Sequence, residues 1–395
     1  MVLLVDTVLF ALALGLLVPS AVLFAECAAA LLPAAGVQSD SAKEKPRVAV
    51  LVPAHNEEAA IRKTVETLQP ELKAGDRLVA VADNCSDRTA EVAREAGAIV
   101  IERRDASRRG KGYALDCGLR FLEADPPAAV VVVDADCTVE PGAVERLARI
   151  AVAKGRPVQA TYLLEVPPSP QARDLVSALA FLVKNLVRPR GLDRLGLPCL
   201  LTGTGMAFEP AVIRSTSLAT GNIVEDMQLG LDLAVAGHPP VFAPEARVTG
   251  TLPKQEPAAK SQRTRWEHGH IETLLTQVPR LLKEAIRQKR FDLLALALDL
   301  CVPPLSLLVM LWGAGTAAAI LAAVWGASPV PACLLAGSGM LIFLSIVTAW
   351  AFFGRAALPV RALAAVPLYL LWKIPLYLAF LVRRQTEWVR TERDT

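Results

Sequence analysis

The chain has 395 residues, of which 53% are hydrophobic, and a formal net charge of +3. That apolar share is high for a wholly soluble protein, and the charge is too small to argue for nucleic acid as a partner. Seven cysteines form no C-x-x-C pair and, being odd in number, cannot all pair within one chain; they read as reduced thiols. Residues 7–25 are an uncharged apolar run of 19, long enough to cross a bilayer. No Lys or Arg precedes the run, which argues against a cleaved signal peptide. Lys43, Lys45 and Arg47 follow it, so the N-terminus is expected outside and the next domain in the cytoplasm. Residues 1–33 thus read as a transmembrane helix and 34–46 as a polar linker.

From residue 47 strands and helices alternate. Strands are predicted at 47–52 (RVAVLV), 77–82, 98–101 and 128–133 (AAVVVV). Their continuous apolar character suits strands buried on both faces. Helices are predicted at 57–68, 86–96 (with Asn84 or Ser86 as N-cap), 113–123 and 141–152. This order implies a mostly parallel three-layer α/β sheet, with ligands beyond the C-terminal strand ends. The pattern then loosens: a strand at 156–164, a helix at 172–187, a short strand at 205–208 leading into 209–215, and helices at 226–236 and 258–270. Residues 279–304 read as interfacial, because 281–290 is basic and amphipathic.

No charge separates Asp299 from Arg355, which gives two crossings, 305–325 and 331–353, around an outward-facing break at 326–331. Segment 362–382 carries Lys373 near its middle and prolines at 367 and 375. Those features favour an interfacial or re-entrant helix over a third crossing in the block 305–382. The tail 383–395 is basic and expected in the cytoplasm.

Four short motifs carry the chemistry. Asp134 and Asp136 follow the strongest strand, where two carboxylates can hold one Mg²⁺ or Mn²⁺ and its phosphates; helix-capping aspartates in a turn are the alternative. Asp83 follows the second strand and can accept from a nucleobase imide, or simply shape the turn. In PAHNE, Pro53 to Glu57, Glu57 can take a ribose hydroxyl or base edge, Asn56 a helix cap, and His55 reads as a bystander. Lys111 belongs to a basic glycine-flanked loop (Arg108, Arg109, Gly110, Lys111, Gly112) suited to a diphosphate, though without P-loop spacing. Glu225 and Asp226 open a helix, and a carboxylate there can act as general base on an acceptor hydroxyl. Gln262, Arg265 and Trp266 share one helical face, Arg265 for a departing diphosphate and Trp266 for a sugar. His268 and His270 diverge too far to share a metal.

Taken together, PAHNE, DAD, ED and QRTRW make the chain resemble a membrane-embedded family 2 glycosyltransferase with a GT-A, Rossmann-like catalytic domain over residues 47–278. The processive polysaccharide synthases are the expected relatives. The resemblance implies that Pro53, Asn56, Glu57 and Asp83 hold the nucleotide of a nucleotide-sugar donor. It also implies Asp134 and Asp136 on the metal, Asp226 as base, and Gln262, Arg265 and Trp266 at the donor. Thr202, Gly203, Thr204 and Gly205 stand where such synthases carry an acceptor-site segment, and Trp388, Val389, Arg390 and Thr391 resemble a gating loop. The implied reaction is inverting transfer from a UDP-hexose or UDP-HexNAc to a growing polysaccharide at the inner face of a bacterial plasma membrane, with accessory export proteins as further partners. Transfer of one sugar to a membrane lipid is the alternative, and an inactive assembly partner the distant one.

Overall fold

A computed structural model describes residues 2–34, 45–167, 170–218, 224–251, 256–356 and 358–382. The basic tail, the gating-loop resemblance and most of the linker lie outside the described residues. In chain order the elements are α1 (Val2–Ala29), β1 (Val48–Ala54), α2 (Ile61–Leu68), β2 (Arg77–Asp83), α3 (Thr89–Glu95), β3 (Ile99–Arg103), α4 (Lys111–Leu122) and β4 (Ala129–Val132). Next come β5 (Cys137–Val139), α5 (Ala143–Lys154), β6 (Val158–Glu165), α6 (Ala172–Leu182), α7 (Arg188–Arg194), β7 (Met206–Phe208), α8 (Pro210–Ile213), α9 (Glu225–Val235) and β8 (Val241–Thr251). The C-terminal part holds α10 (Glu256–Gln288), α11 (Phe291–Cys301), α12 (Leu305–Val324), α13 (Val330–Ala349) and α14 (Val366–Val382).

One eight-stranded sheet runs β3-β2-β1-β4-β7-β6-β8-β5. β1 to β4 are mutually parallel, β7 is antiparallel to both its neighbours, and β6 pairs parallel with β8. All seven β1 residues are buried, and period-2 alternation divides them. Val48, Val50 and Val52 pack on Ile61, Val65 and Leu147 on one face; Ala49 and Leu51 pack on Leu115, Leu119 and Leu233 on the other. The chain leaves β1 toward β2 on one side while β4 lies on the other, so the crevice for a ligand opens at the C-terminal ends of β1 and β4.

Several predicted elements shift. Helices expected from 57 and 86 begin at Ile61 and Thr89, because Asn56 and Asn84 adopt positive φ (55° and 52°) and extend the turns. Neither Asn84 nor Ser86 caps a helix; Ser86 N donates to Asn56 Oδ1 (2.7 Å). β8 is absent from the sequence-based reading, since Pro244, Glu245 and Arg247 break its apolar pattern. Its register with β6 skips from Ala160↔Ala243 to Thr161↔Arg247, and that bulge absorbs the proline. The helix expected over 172–187 ends as α6 and widens into a π-helical turn, Val183–Val187, before α7. The two helices expected around 258–290 are one rod, α10, continuous through Pro279.

Among the described residues, three helices are long and apolar enough to cross a membrane: α1, α12 and α13 with its extension to Gly354. α14, at 17 residues, is shorter. Asp6 Oδ1 accepts from Ser328 N (2.8 Å), so the start of α1 and the α12–α13 connection lie on the same side of this layer. At the other end of α1, Arg188 donates to Glu26 (2.6 Å) and Asp299 (2.5 Å), all three side chains being buried. Gly191 makes that crossing possible, because a Cβ there would meet Glu26 O at 1.9 Å. The triad ties α1, α7 and α11 together. Removing one member of such a group strands the others without water. We therefore expect Arg188→Met to destabilise the protein by about 3 kcal/mol, read as a lower Tm in detergent, with Arg188→Lys in between.

Candidate functional site: two adjoining cavities

The crevice beyond β1 and β4 is a cavity of about 180 Å³. Pro53, His55 and Glu57 reach it from the end of β1, Asp83 and Asn84 from β2, and Asp134 and Asp136 from β4. Arg109 enters from the loop before α4 and Lys111 from the first turn of α4, with Gly110 between them at a φ of 129°. Gln262, Arg265 and Trp266 close the cavity from α10. Residues more than 200 positions apart in the chain thus meet. Asn56 is the exception: it lines neither cavity, and its buried side chain holds the Ser86 turn.

A second cavity of about 280 Å³ lies beside the long apolar helices, with Leu23 and Leu305 in its lining, and contains Glu225 and Asp226. Lys111, Asp134, Tyr162, Arg265 and Trp266 line both cavities and form the wall between them. Tyr162 stands edge-on to Phe181 at 5.1 Å, and Phe181 is tilted against Trp266 at 5.7 Å, so aromatic faces run along this wall. Tyr162 was not singled out from the sequence; it sits in a strand pattern where a tyrosine reads as ordinary packing.

The 202–205 loop locks the wall. Thr204 Oγ1 accepts from Asp134 N (3.0 Å), and Lys111 Nζ donates to Gly203 O (2.6 Å). Buried Gln159 clasps the loop through Thr202 N (2.8 Å) and Thr204 O (2.9 Å), a brace that no local sequence pattern signals. Gly203 has φ of 95°, and a Cβ on it would approach Asp226 Oδ2 at 2.9 Å, so only glycine leaves room for that carboxylate. Gly269 does the same from α10: a Cβ would strike Val224 at 2.5 Å, just before Glu225. The neighbouring histidines serve packing, with His268 Nε2 donating to Leu376 O (2.9 Å) and His270 Nε2 to Val302 O (3.2 Å).

Lys111 forms an ion pair with Asp134. Burial opposes its charge, yet Asp134, Glu225 and Asp226 outweigh that and hold the ammonium above the ordinary lysine range. One lysine does not satisfy the acids in turn. Burial pushes the Asp134 carboxyl up, Asp136 and Asp226 reinforce it, and Lys111 only partly opposes them. This surplus of negative charge fits a divalent cation. Asp134, Asp136 and Cys137 bring ligand atoms within 4.8 Å of one another. Burial drives the Cys137 thiol well above its usual range, and the two carboxylates are the hard oxygen donors that Mg²⁺ or Mn²⁺ takes. Buried Gln262 Oε1, without a partner among the described residues, also faces the first cavity.

The model of a family described as "Glycosyltransferase like family 2" matches residues 46–269, more than half of the chain. A curated relative, the probable glycosyltransferase YdaM of Bacillus subtilis, is 28% identical over 273 residues, which is 64% of this chain and 62% of that protein. The low-salt glycan biosynthesis hexosyltransferase Agl6 of Haloferax volcanii is 36% identical over 99 residues, covering 24% of this chain and 22% of its own. The match thus spans about three fifths of the first relative and about a fifth of the second. Among solved structures, the mannosyltransferase PcManGT from Pyrobaculum calidifontis, in complex with GDP-Man and Mn²⁺, is similar with a TM-score of 0.57 and 19% identity over 96% of this chain and 99% of that one. That likeness shows that the two chains share a fold: a GT-A sheet joined to apolar helices.

Glu225 generates a pH prediction. Burial, then the Asp226 carboxylate, pushes it from 4.5 up to about 7 against the pull of Lys111. The folded state therefore holds this proton more tightly than the unfolded one, and stability falls as pH rises from 4.5 through about 7. Glu225→Gln should flatten that stretch of a plot of Tm against pH.

Proposed function

Because this chain belongs to glycosyltransferase family 2, we propose that it transfers a sugar, with inversion, from a nucleotide-diphosphate donor in the smaller cavity to a hydroxyl of a membrane-anchored acceptor in the larger one. The observation that carries this reading is the shared wall: Lys111, Asp134, Arg265 and Trp266 face both cavities, with Asp226 just behind it on the acceptor side. Glu57 and Asp83 take the nucleoside. Lys111, Arg265 and Gln262 take the diphosphate, and Trp266 the sugar. Asp226 removes the proton from the acceptor hydroxyl, whose oxygen attacks the anomeric carbon as the carbon–diphosphate bond breaks. Mg²⁺ or Mn²⁺ held by Asp134 and Asp136 supplies charge neutralisation of the leaving diphosphate.

A lipid headgroup is favoured as acceptor over a long polymer. Leu23 of α1 and Leu305 of α12 contribute to the larger cavity, so one wall belongs to helices apolar enough to lie in a bilayer. Polysaccharide growth is the second reading, supported by the aromatic wall of Tyr162, Phe181 and Trp266, which suits sugar rings. A cytoplasmic, inner-leaflet position of both cavities agrees with the basic residues that follow the first apolar run.

Asp226→Asn should lower transfer by about a thousandfold while leaving nucleotide-sugar affinity within about threefold of wild type; normal turnover by this variant would overturn the assignment. Asp136→Asn should remove the extra thermal stability that a nucleoside diphosphate gains from added Mn²⁺, measured by a melting scan without any turnover.

A further inference from the structure

The larger cavity holds polar groups that the transfer chemistry does not use. Lys184 and Asn185 lie in the π-helical turn Val183–Val187, and both line that cavity. Val183 and Val187 of the same turn are buried against α1 and the apolar layer. A π turn inserted in a helix offsets successive side chains and recurs at functional sites. Here it anchors its valines toward the membrane helices while Lys184 and Asn185 border the space beside Asp226.

Neither polar group is satisfied by the protein. Among the described residues Lys184 makes no hydrogen bond or ion pair. Burial pushes its ammonium below the ordinary lysine range, with Asp226 the first group opposing that shift. Asn185 is 3% exposed, and its Oδ1 has no partner among the described residues. Thr202 Oγ1, on the 202–205 loop that also lines this cavity, is likewise buried without a partner. Buried polar atoms are normally paired, and a cluster left open around one cavity points to a ligand that pairs them.

We propose that Lys184, Asn185 and Thr202 form a headgroup subsite for an anionic amphiphile, a lipid that carries a phosphate beside the hydroxyl to be glycosylated. This rests on the acceptor reading of the larger cavity. The lysine pairs with the phosphate, Asn185 Oδ1 accepts from a neighbouring hydroxyl, and the Thr202 hydroxyl completes the set. The accepting hydroxyl, rather than the anion, then turns toward Asp226, because two negative groups repel. An uncharged headgroup would leave the lysine unpaired in a wall of low dielectric.

The test uses the full chain in neutral phosphatidylcholine nanodiscs and follows tryptophan fluorescence on titration. The probes are lysophosphatidylglycerol, a monoacylglycerol of the same chain length, and glycerol 3-phosphate. The lysophospholipid should bind about tenfold tighter than the uncharged lipid. Lys184→Met should erase that preference and Lys184→Arg should retain most of it. Asn185→Asp, which sets a carboxylate beside the ammonium, should erase it too, and serves where the methionine variant does not fold. Equal binding of the two lipids by the wild type, or an intact preference in both Lys184→Met and Asn185→Asp, overturns the proposal. Glycerol 3-phosphate binding as tightly as the lysophospholipid also overturns it, by assigning the subsite to a soluble acceptor. Nucleoside-diphosphate binding, measured alongside, separates the two levels: its absence sinks the transfer reading, whereas its presence without a lipid preference sinks only this one.

Discussion

The ammonium of Lys111 is the group on which the arrangement turns. It bonds to Asp134 at the end of β4 and to the Gly203 carbonyl in the 202–205 loop, and it lies in the field of Glu225 and Asp226. Those residues come from separate stretches of the chain. Without a cation among them, like charges in a buried wall would push the loop, the strand end and α9 apart. The same atom therefore holds the fold of the site together and defines the boundary between its two halves.

Much of the smaller cavity was legible in the sequence. The strands β1, β2 and β4 are short apolar runs followed by acids, a pattern that parallel sheets impose because both faces are covered. The motif on α10 was legible because three helical positions fix a face regardless of what it meets. β8 was not. Its pairing with β6 joins residues some 80 positions apart across a bulge, and no local pattern records that. The residue pattern offered Asn56 as a helix cap and the family resemblance implied a nucleotide contact, whereas its positive φ, invisible in a one-letter code, makes it the brace of a turn. The π turn at Val183–Val187 was hidden too, although a lysine and an asparagine inside an apolar helical run were its one available signal.

The membrane side is organised by buried ionic groups rather than by apolar packing alone. Arg188 binds Glu26 and Asp299, and Lys373, 1% exposed, pairs with Glu267, which also accepts from Tyr377. Glu267 adjoins Trp266, so α14 is fastened next to the residue proposed to hold the sugar. Ion pairs of this kind specify geometry more than they stabilise, since desolvation offsets most of the attraction. Lys373, awkward as a charge in the middle of an apolar segment, has its explanation in this pair and in the rings of Tyr369 and Trp372 at 5.4 and 5.8 Å.

The presence of Leu23 in the larger cavity has a consequence for how a substrate arrives. Leu23 belongs to a helix long and apolar enough to cross a bilayer, and it shares the cavity with Asp226. On the proposed lipid reading, a tailed acceptor already dissolved among lipid chains would reach the carboxylate by sliding sideways, without passing through water. Its search would then be confined to a plane, and encounter frequency would follow its mole fraction in the leaflet, not its concentration in the surrounding solution.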